Sequence, residues 1–283
     1  MQKITNDVLT VEILEKGAEL QSVKNADGKE FLWNGDPAYW VGRAPVLFPI
    51  CGGLKEDKYT LNGSEYTLSK HGFAKLVDYD VEDKKEDSVT FLLKSNEETK
   101  KQFPFNFELR ITYSLKDNSL ITAYAVKNLD ADKMYFSIGS HEAFMIPEGT
   151  QNYHIQFDKE VTLNSYILDG NLLEDNYITV LEKGDKFPLK DEYFAVDALV
   201  FKNVDFDKAA LVCNDGSRKV TVEFPGCDYF LLWKKPEANY LCLEPWAGVQ
   251  DIIGSDYDIT KKEGIIALDG NGIYEKVHTI TFE

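Results

Sequence analysis

The sequence predicts an all-β protein, one large antiparallel β-sandwich, on three observations. Aromatic residues are frequent, with 15 Tyr and 17 Phe in 283 residues, and aromatic side chains favour pleated, half-buried surfaces. Turn dipeptides recur at Asp27-Gly28, Asn34-Gly35, Asn62-Gly63, Asp169-Gly170, Asp215-Gly216, Asp269-Gly270 and Asn271-Gly272. Such pairs accept the positive φ that two-residue hairpin loops require. Period-two runs flank many of them.

In Phe105 to Tyr113 the odd positions are Phe, Phe, Leu, Ile and Tyr, and the even ones Asn, Glu, Arg and Thr. That is a strand with one buried and one wet face. Val220-Thr221-Val222-Glu223-Phe224 and His278-Thr279-Ile280-Thr281-Phe282 repeat the pattern. Helical signal is thin: Glu97 to Gln102 spans one or two turns and must stop before Phe103-Pro104, since proline disfavours helical backbone in the residue before it. Strands do not alternate with long amphipathic helices, which disfavours Rossmann and TIM architectures. No linker, low-complexity block or fixed-period repeat divides the chain, so residues 1–283 are expected to form a single domain, a size that sandwiches reach.

The net charge of −17 argues against nucleic acid or an anionic membrane as partner. Cys51, Cys213, Cys227 and Cys242 show no CxxC spacing and read as reduced, buried thiols. Met1 to Asp7 lacks an apolar signal core, and no apolar run reaches membrane-spanning length. The expected location is cytoplasmic. Monomer and homodimer both stay open.

Three segments concentrate the chemistry: Lys70-His71-Gly72-Phe73, Ser140-His141-Glu142-Ala143-Phe144 and Leu243-Glu244-Pro245-Trp246. Two of only four histidines lie in them. Two imidazoles and a carboxylate among apolar rings suit proton transfer near neutral pH. Each has a plain structural reading: His71 in a turn, His141 as a hydrogen-bonded core histidine, Glu244 buried and paired. Jointly those readings are harder to hold.

Other chemistries fit less well. GxGxxG, GxxxxGK[ST] and GxSxG are absent, and Cys51-Gly52-Gly53 lacks the lysine–hydroxyl ending of a phosphate loop. A glycosidase built on Glu244 with Asp197 or Asp251 leaves both histidines without a role. A metal site from His71, His141 and Glu244 lacks compact HxH or HExxH spacing, so no metal is expected.

These segments resemble the aldose 1-epimerase (galactose mutarotase-like) superfamily, and more narrowly its LacX-type branch. The resemblance covers nearly the whole chain. It includes Gly17-Ala18-Glu19-Leu20, Phe31-Leu32-Trp33, Tyr39-Trp40, Arg43 to Pro49, the HGF segment, Gly139 to Phe144, Asp197 to Phe201, Leu232 to Pro236 and Cys242 to Gly248. It implies a β-supersandwich with an open sugar cleft, no cofactor, and interconversion of the α and β anomers of an aldose. By motif, Glu244 is the general base on the anomeric hydroxyl and His141 the general acid on the ring oxygen. His71 lines the cleft, Asp197 binds sugar hydroxyls, and Arg43 stands near a family arginine. Trp40 and Trp233 are candidate stacking platforms, with core packing as the competing reading.

Two departures bear on substrate choice. The segment often seen as HGFAR reads HGFAK, so Lys75 replaces an arginine that holds phosphate in hexose-6-phosphate relatives; a point charge lacks arginine's bidentate fork. Gly53 stands where relatives often carry a polar or basic residue. The expectation is thus a mutarotase acting on a hexose or related sugar. The alternative is a non-catalytic carbohydrate-binding protein using the same cleft.

Overall fold

A computed structural model describes residues 1–283. Fourteen strands join in one antiparallel sheet. From one edge it runs Ile138–Gly139, Tyr240–Ala247, Tyr229–Trp233, Leu199–Lys202, Tyr153–Asp169 and Lys208–Cys213. It continues through Lys219–Glu223, Ile273–Phe282, Ser119–Asn128, Phe107–Lys116, Ser88–Lys94 and Asp80–Lys84. Glu142–Met145 adds to Tyr240–Ala247, and Leu172–Pro188 to Tyr153–Asp169. A core of 63 buried residues reaches from Ile4 to Phe282. The expected all-β sandwich is what forms.

Local patterns explain most of these strands. Phe107–Lys116 alternates buried and half-buried positions along nearly its whole length, and Ile273–Phe282 does so from His278 onward. Thr221 departs from its expected wet face. Its strand lies inside the sheet, between Lys208–Cys213 and Ile273–Phe282, and Val220, Thr221 and Val222 are all buried.

Turn chemistry held where the flanking strands pair with each other. Asn62-Gly63, with φ of 52° and 82°, closes the hairpin of Lys58–Leu61 and Ser64–Thr67. Asn271-Gly272 closes none: the strand before it pairs with Met134–Phe136 and the one after it with Ser119–Asn128. The single α-helix is Glu97–Gln102. Asn96 accepts the Glu98 and Thr99 N–H groups, the Thr99 hydroxyl accepts the Asn96 N–H at 2.8 Å, and extended Phe103 ends the helix.

All four cysteines are buried and free. No helix is long and apolar enough to cross a membrane. One core feature escapes sequence reading. His278 Nε2 lies 3.0 Å from Glu142 Oε1, both side chains under 5% exposed. Removing one partner of such a buried pair typically costs about 3–5 kcal/mol. Urea unfolding of His278→Ala should show a loss of that size; a loss below about 1 kcal/mol would mean that the pair contributes little.

Candidate active site

The strand Tyr240–Ala247 meets the histidine segment twice. Ile138 and Gly139 pair with Ala247 and Trp246, and Glu142 to Met145 pair with Leu243 to Tyr240. Both ladders keep one register, broken only at Ser140-His141, so His141 stands opposite Glu244. Pro245 explains the break: it has no N–H to give the ladder, and only the Ser140 N–H reaches its carbonyl, at 3.4 Å. The Ser140 carbonyl instead accepts the Trp246 indole N–H at 3.0 Å. Opposed residues share a face of a sheet, and His141 Nε2 lies 3.4 Å from Glu244 Oε2. Glu142, one residue on, points the other way and meets His278.

His71 arrives on a turn with positive φ, 69°. Its N–H donates to the Gly52 carbonyl at 2.8 Å, and its Nδ1 accepts the Gly52 N–H at 3.1 Å. That bond places the proton of the neutral ring on Nε2. Gly72 must be glycine, because a Cβ there would stand 2.3 Å from the Phe48 carbonyl oxygen. Phe73 then anchors the turn against Phe48, Phe103 and Phe107, with ring centroids 6.3–6.5 Å away.

These side chains open on a cleft of about 730 Å³. His71, His141, Glu244, Lys75, Asp197, Trp40 and Trp233 all line it. Trp40 lies over the His141 ring at 5.0 Å, and Trp233 meets that ring edge-on at 5.4 Å, so the two indoles hold the imidazole as well as facing the cleft. Asp197 is 4.0 Å from Lys70 Nζ, and Lys75 donates to the Lys70 carbonyl at 3.0 Å. Arg43 stands apart from the expected group. Its guanidinium donates to the Gln21 carbonyl and it does not line the cleft. Its main-chain N–H, with that of Ala44, is held by the Glu19 carboxylate at 2.8 and 3.1 Å. Gln250, Lys70 and Glu19 also line the cleft; Lys70 and Glu19 lie in segments quoted above but were given no role there, and Gln250 carries no spacing or motif of its own.

Burial dominates the electrostatics. Glu244 and His141 are 1% and 7% exposed. Desolvation pushes the Glu244 carboxyl well above its usual range, and the nearby Lys70 charge only partly opposes this. Desolvation also pulls His141 down to about 3, and His71 well below its usual value, with His141 as the next cause. Both shifts favour the uncharged forms, a carboxylic acid beside a neutral imidazole. The carboxylate–imidazolium pair that the family roles call for holds the same number of protons. The two forms differ only in where one proton sits, so the pair titrates as a unit. In an NMR titration the His141 ring should stay neutral down to about pH 3; a midpoint near 6.5 would contradict the desolvated pair.

Cys242 adds a donor that sequence spacing did not suggest. Its sulfur, His141 and Glu244 offer ligand atoms within 4.8 Å of one another. Burial first, then Glu244, pushes the thiol well above its usual range, so a cation there would have to displace the thiol proton.

Comparison with known proteins gives the family. The family model described as aldose 1-epimerase matches residues 1–254. The LacX proteins of Lactococcus lactis subsp. lactis, plasmid and chromosomal, are 32% and 31% identical over 261 residues, 87% of each chain. Two solved structures are similar throughout. A galactose mutarotase related enzyme from Lactobacillus acidophilus has a TM-score of 0.96 at 34% identity, covering 100% of this chain and 97% of that one. A galactose mutarotase-like protein from Lactobacillus casei ATCC 334 has a TM-score of 0.95 at 30% identity, covering 100% of both. With its paired ladders, its His141–Glu244 contact and these relatives, the chain belongs to the aldose 1-epimerase family and resembles its LacX members.

Proposed function

We propose that the protein is an aldose 1-epimerase that interconverts the α and β anomers of a hexose or related sugar, with His141 and Glu244 as its acid–base pair. The observation that carries this reading is the pair itself: two titratable groups 3.4 Å apart, both desolvated, at the floor of an aromatic-walled cleft. No cofactor enters the scheme.

Ring opening needs one proton taken from O1 and one given to O5. In the carboxylate–imidazolium form, Glu244 accepts the O1 proton while His141 donates to O5. The C1–O5 bond breaks and C1=O1 forms. Afterwards Glu244 is a carboxylic acid and His141 is neutral. That is the form burial favours, so its protonation matches the one the open-chain aldehyde leaves. Rotation about C1–C2 presents the other carbonyl face. Ring closure then runs backwards: Glu244 protonates O1, and His141 takes the proton of the O5 hydroxyl. Closure leaves Glu244 a carboxylate and His141 an imidazolium, which is the ring-opening form again, with no exchange with solvent.

His71 presents Nε2–H, the donor that its Gly52 bond fixes, to a sugar oxygen near the reacting centre. Asp197 and Lys75 meet ring hydroxyls, and Trp233 gives an apolar face for ring C–H groups. Positioned acid–base groups contribute typically 10²–10⁴-fold each.

Exchange NMR on a panel of aldoses should show faster anomer interconversion with the wild-type protein. Glu244→Gln and His141→Asn should each cost about 10²–10⁴-fold in kcat. The double variant should lose little more than either single one, because the two groups act as a unit. Sugar binding without any faster exchange would favour a carrier or sensor instead, and release of reducing sugar from an aryl glycoside would point to a glycosidase.

A further inference from the structure

Gln250 has a place in the cleft and no task in the fold. Its side chain is only 4% exposed, it lines the cleft with His71 and Glu244, and its Oε1 is buried without a hydrogen-bond partner. Buried polar atoms of native proteins are nearly always paired, and an orphan has a stability cost.

The backbone around Gln250 is held on both sides. Lys262 Nζ donates to the Val249 carbonyl and forms a buried ion pair with Asp251 at 3.1 Å. The Asp251 N–H donates to the Gly53 carbonyl at 2.9 Å, and its carboxylate accepts the Lys55 N–H at 3.0 Å. A Cβ on Gly52 would stand 2.3 Å from the Gln250 Cβ, and one on Gly53 would stand 2.9 Å from the Asn171 Cβ. The Leu173 N–H donates to the Asp251 carbonyl at 2.8 Å, which ties the Asn171 turn to the same wall. Three chain segments thus form a braced end of the cleft, and its one buried side-chain amide is left unspent.

We propose that Gln250 is the specificity residue of this site. Its carboxamide reads one hydroxyl of the sugar ring, in a subsite bounded by Gly52, Gly53 and Asn171. A carboxamide offers an acceptor oxygen and two donor hydrogens, the set that complements an alcohol, which both gives and accepts. Being uncharged, it selects a neutral hydroxyl rather than a phosphate or carboxylate. The two glycines let the Gln250 and Asn171 segments close on this end of the cleft. The inference rests on the sugar reading above and adds a residue to it.

The test compares the wild type with Gln250→Met and Gln250→Leu. Anomer exchange and sugar binding are both measured, across a parent aldose and its singly deoxygenated analogues. Both variants should keep or raise the thermal midpoint, because an unpaired buried oxygen is removed. They should raise KM for the parent sugar by about 10- to 100-fold, with kcat changed less than about threefold. One deoxy analogue should bind the wild type more weakly by a similar factor, and the variants should not distinguish it from the parent. That coupling is one that a merely structural glutamine would not show.

A lowered midpoint with unchanged KM would make Gln250 a packing residue and overturn the proposal. So would equal sensitivity of wild type and variants to every deoxy position. Binding is read separately from exchange. A wild type that binds sugar without exchanging anomers would therefore remove the epimerase reading while Gln250 is still tested. A wild type that binds no aldose would overturn both.

Discussion

One strand register carries the site. Tyr240–Ala247 pairs with Ile138–Gly139 and with Glu142–Met145 in a single register, interrupted where Pro245 cannot donate. The interruption turns two residues out of the ladder without shifting the frame. His141 therefore remains opposite Glu244, across a gap that ordinary pairing would have filled with backbone hydrogen bonds. The Trp246 indole takes the Ser140 carbonyl left over. Gly139 sits beneath that indole, where an added Cβ would stand 2.6 Å from Cδ1. The glycine before the histidine and the proline and tryptophan after the glutamate thus belong to one device, which brings two distant titratable groups together at the floor of a cleft.

Burial then sets what the pair can do. In water a glutamate and a histidine would ionise independently. Here both charged forms are penalised, so the pair favours one proton on the carboxyl and none added to the imidazole. A pair in this state can give and take a proton in one event, which anomer interconversion requires. The indoles of Trp40 and Trp233 contribute in two ways: they hold the His141 ring and they wall the cleft. His71 is kept neutral in the same manner, and its tautomer is chosen by the Gly52 N–H. Gly52 in turn must lack a side chain because Gln250 presses on it, so the acid–base floor and the Gln250 wall are mechanically connected.

The fold was legible because local signals and tertiary placement agree over most of the chain. Alternation in Phe107–Lys116, the capped turn at Glu97–Gln102 and the Asn62-Gly63 hairpin each follow from a few neighbouring residues. Asn271-Gly272 shows the limit: a turn dipeptide fixes local backbone but does not name the partner of the next strand. The site was legible as three motifs, while its geometry was not. Nothing local in Ser140-His141-Glu142 says which of His141 and Glu142 faces Glu244; that depends on pairing with residues about a hundred positions away. Arg43 was misplaced for a related reason. Its neighbours suggested a role beside the sugar, but its guanidinium is used by the Gln21 carbonyl. Gln250 and the His278–Glu142 pair left no sequence signal, since an unpaired amide oxygen and a buried hydrogen-bonded pair exist only in the assembled core.

Burial favours one proton on the Glu244 carboxyl over one on the His141 imidazole. Isotope-edited infrared difference spectroscopy at neutral pH, wild type against Glu244→Gln, tests it most directly. A protonated carboxyl C=O band is expected, assigned to Glu244 by its loss in the variant and changing when sugar is added. A difference spectrum with only carboxylate bands for Glu244 in the sugar-free protein would contradict it.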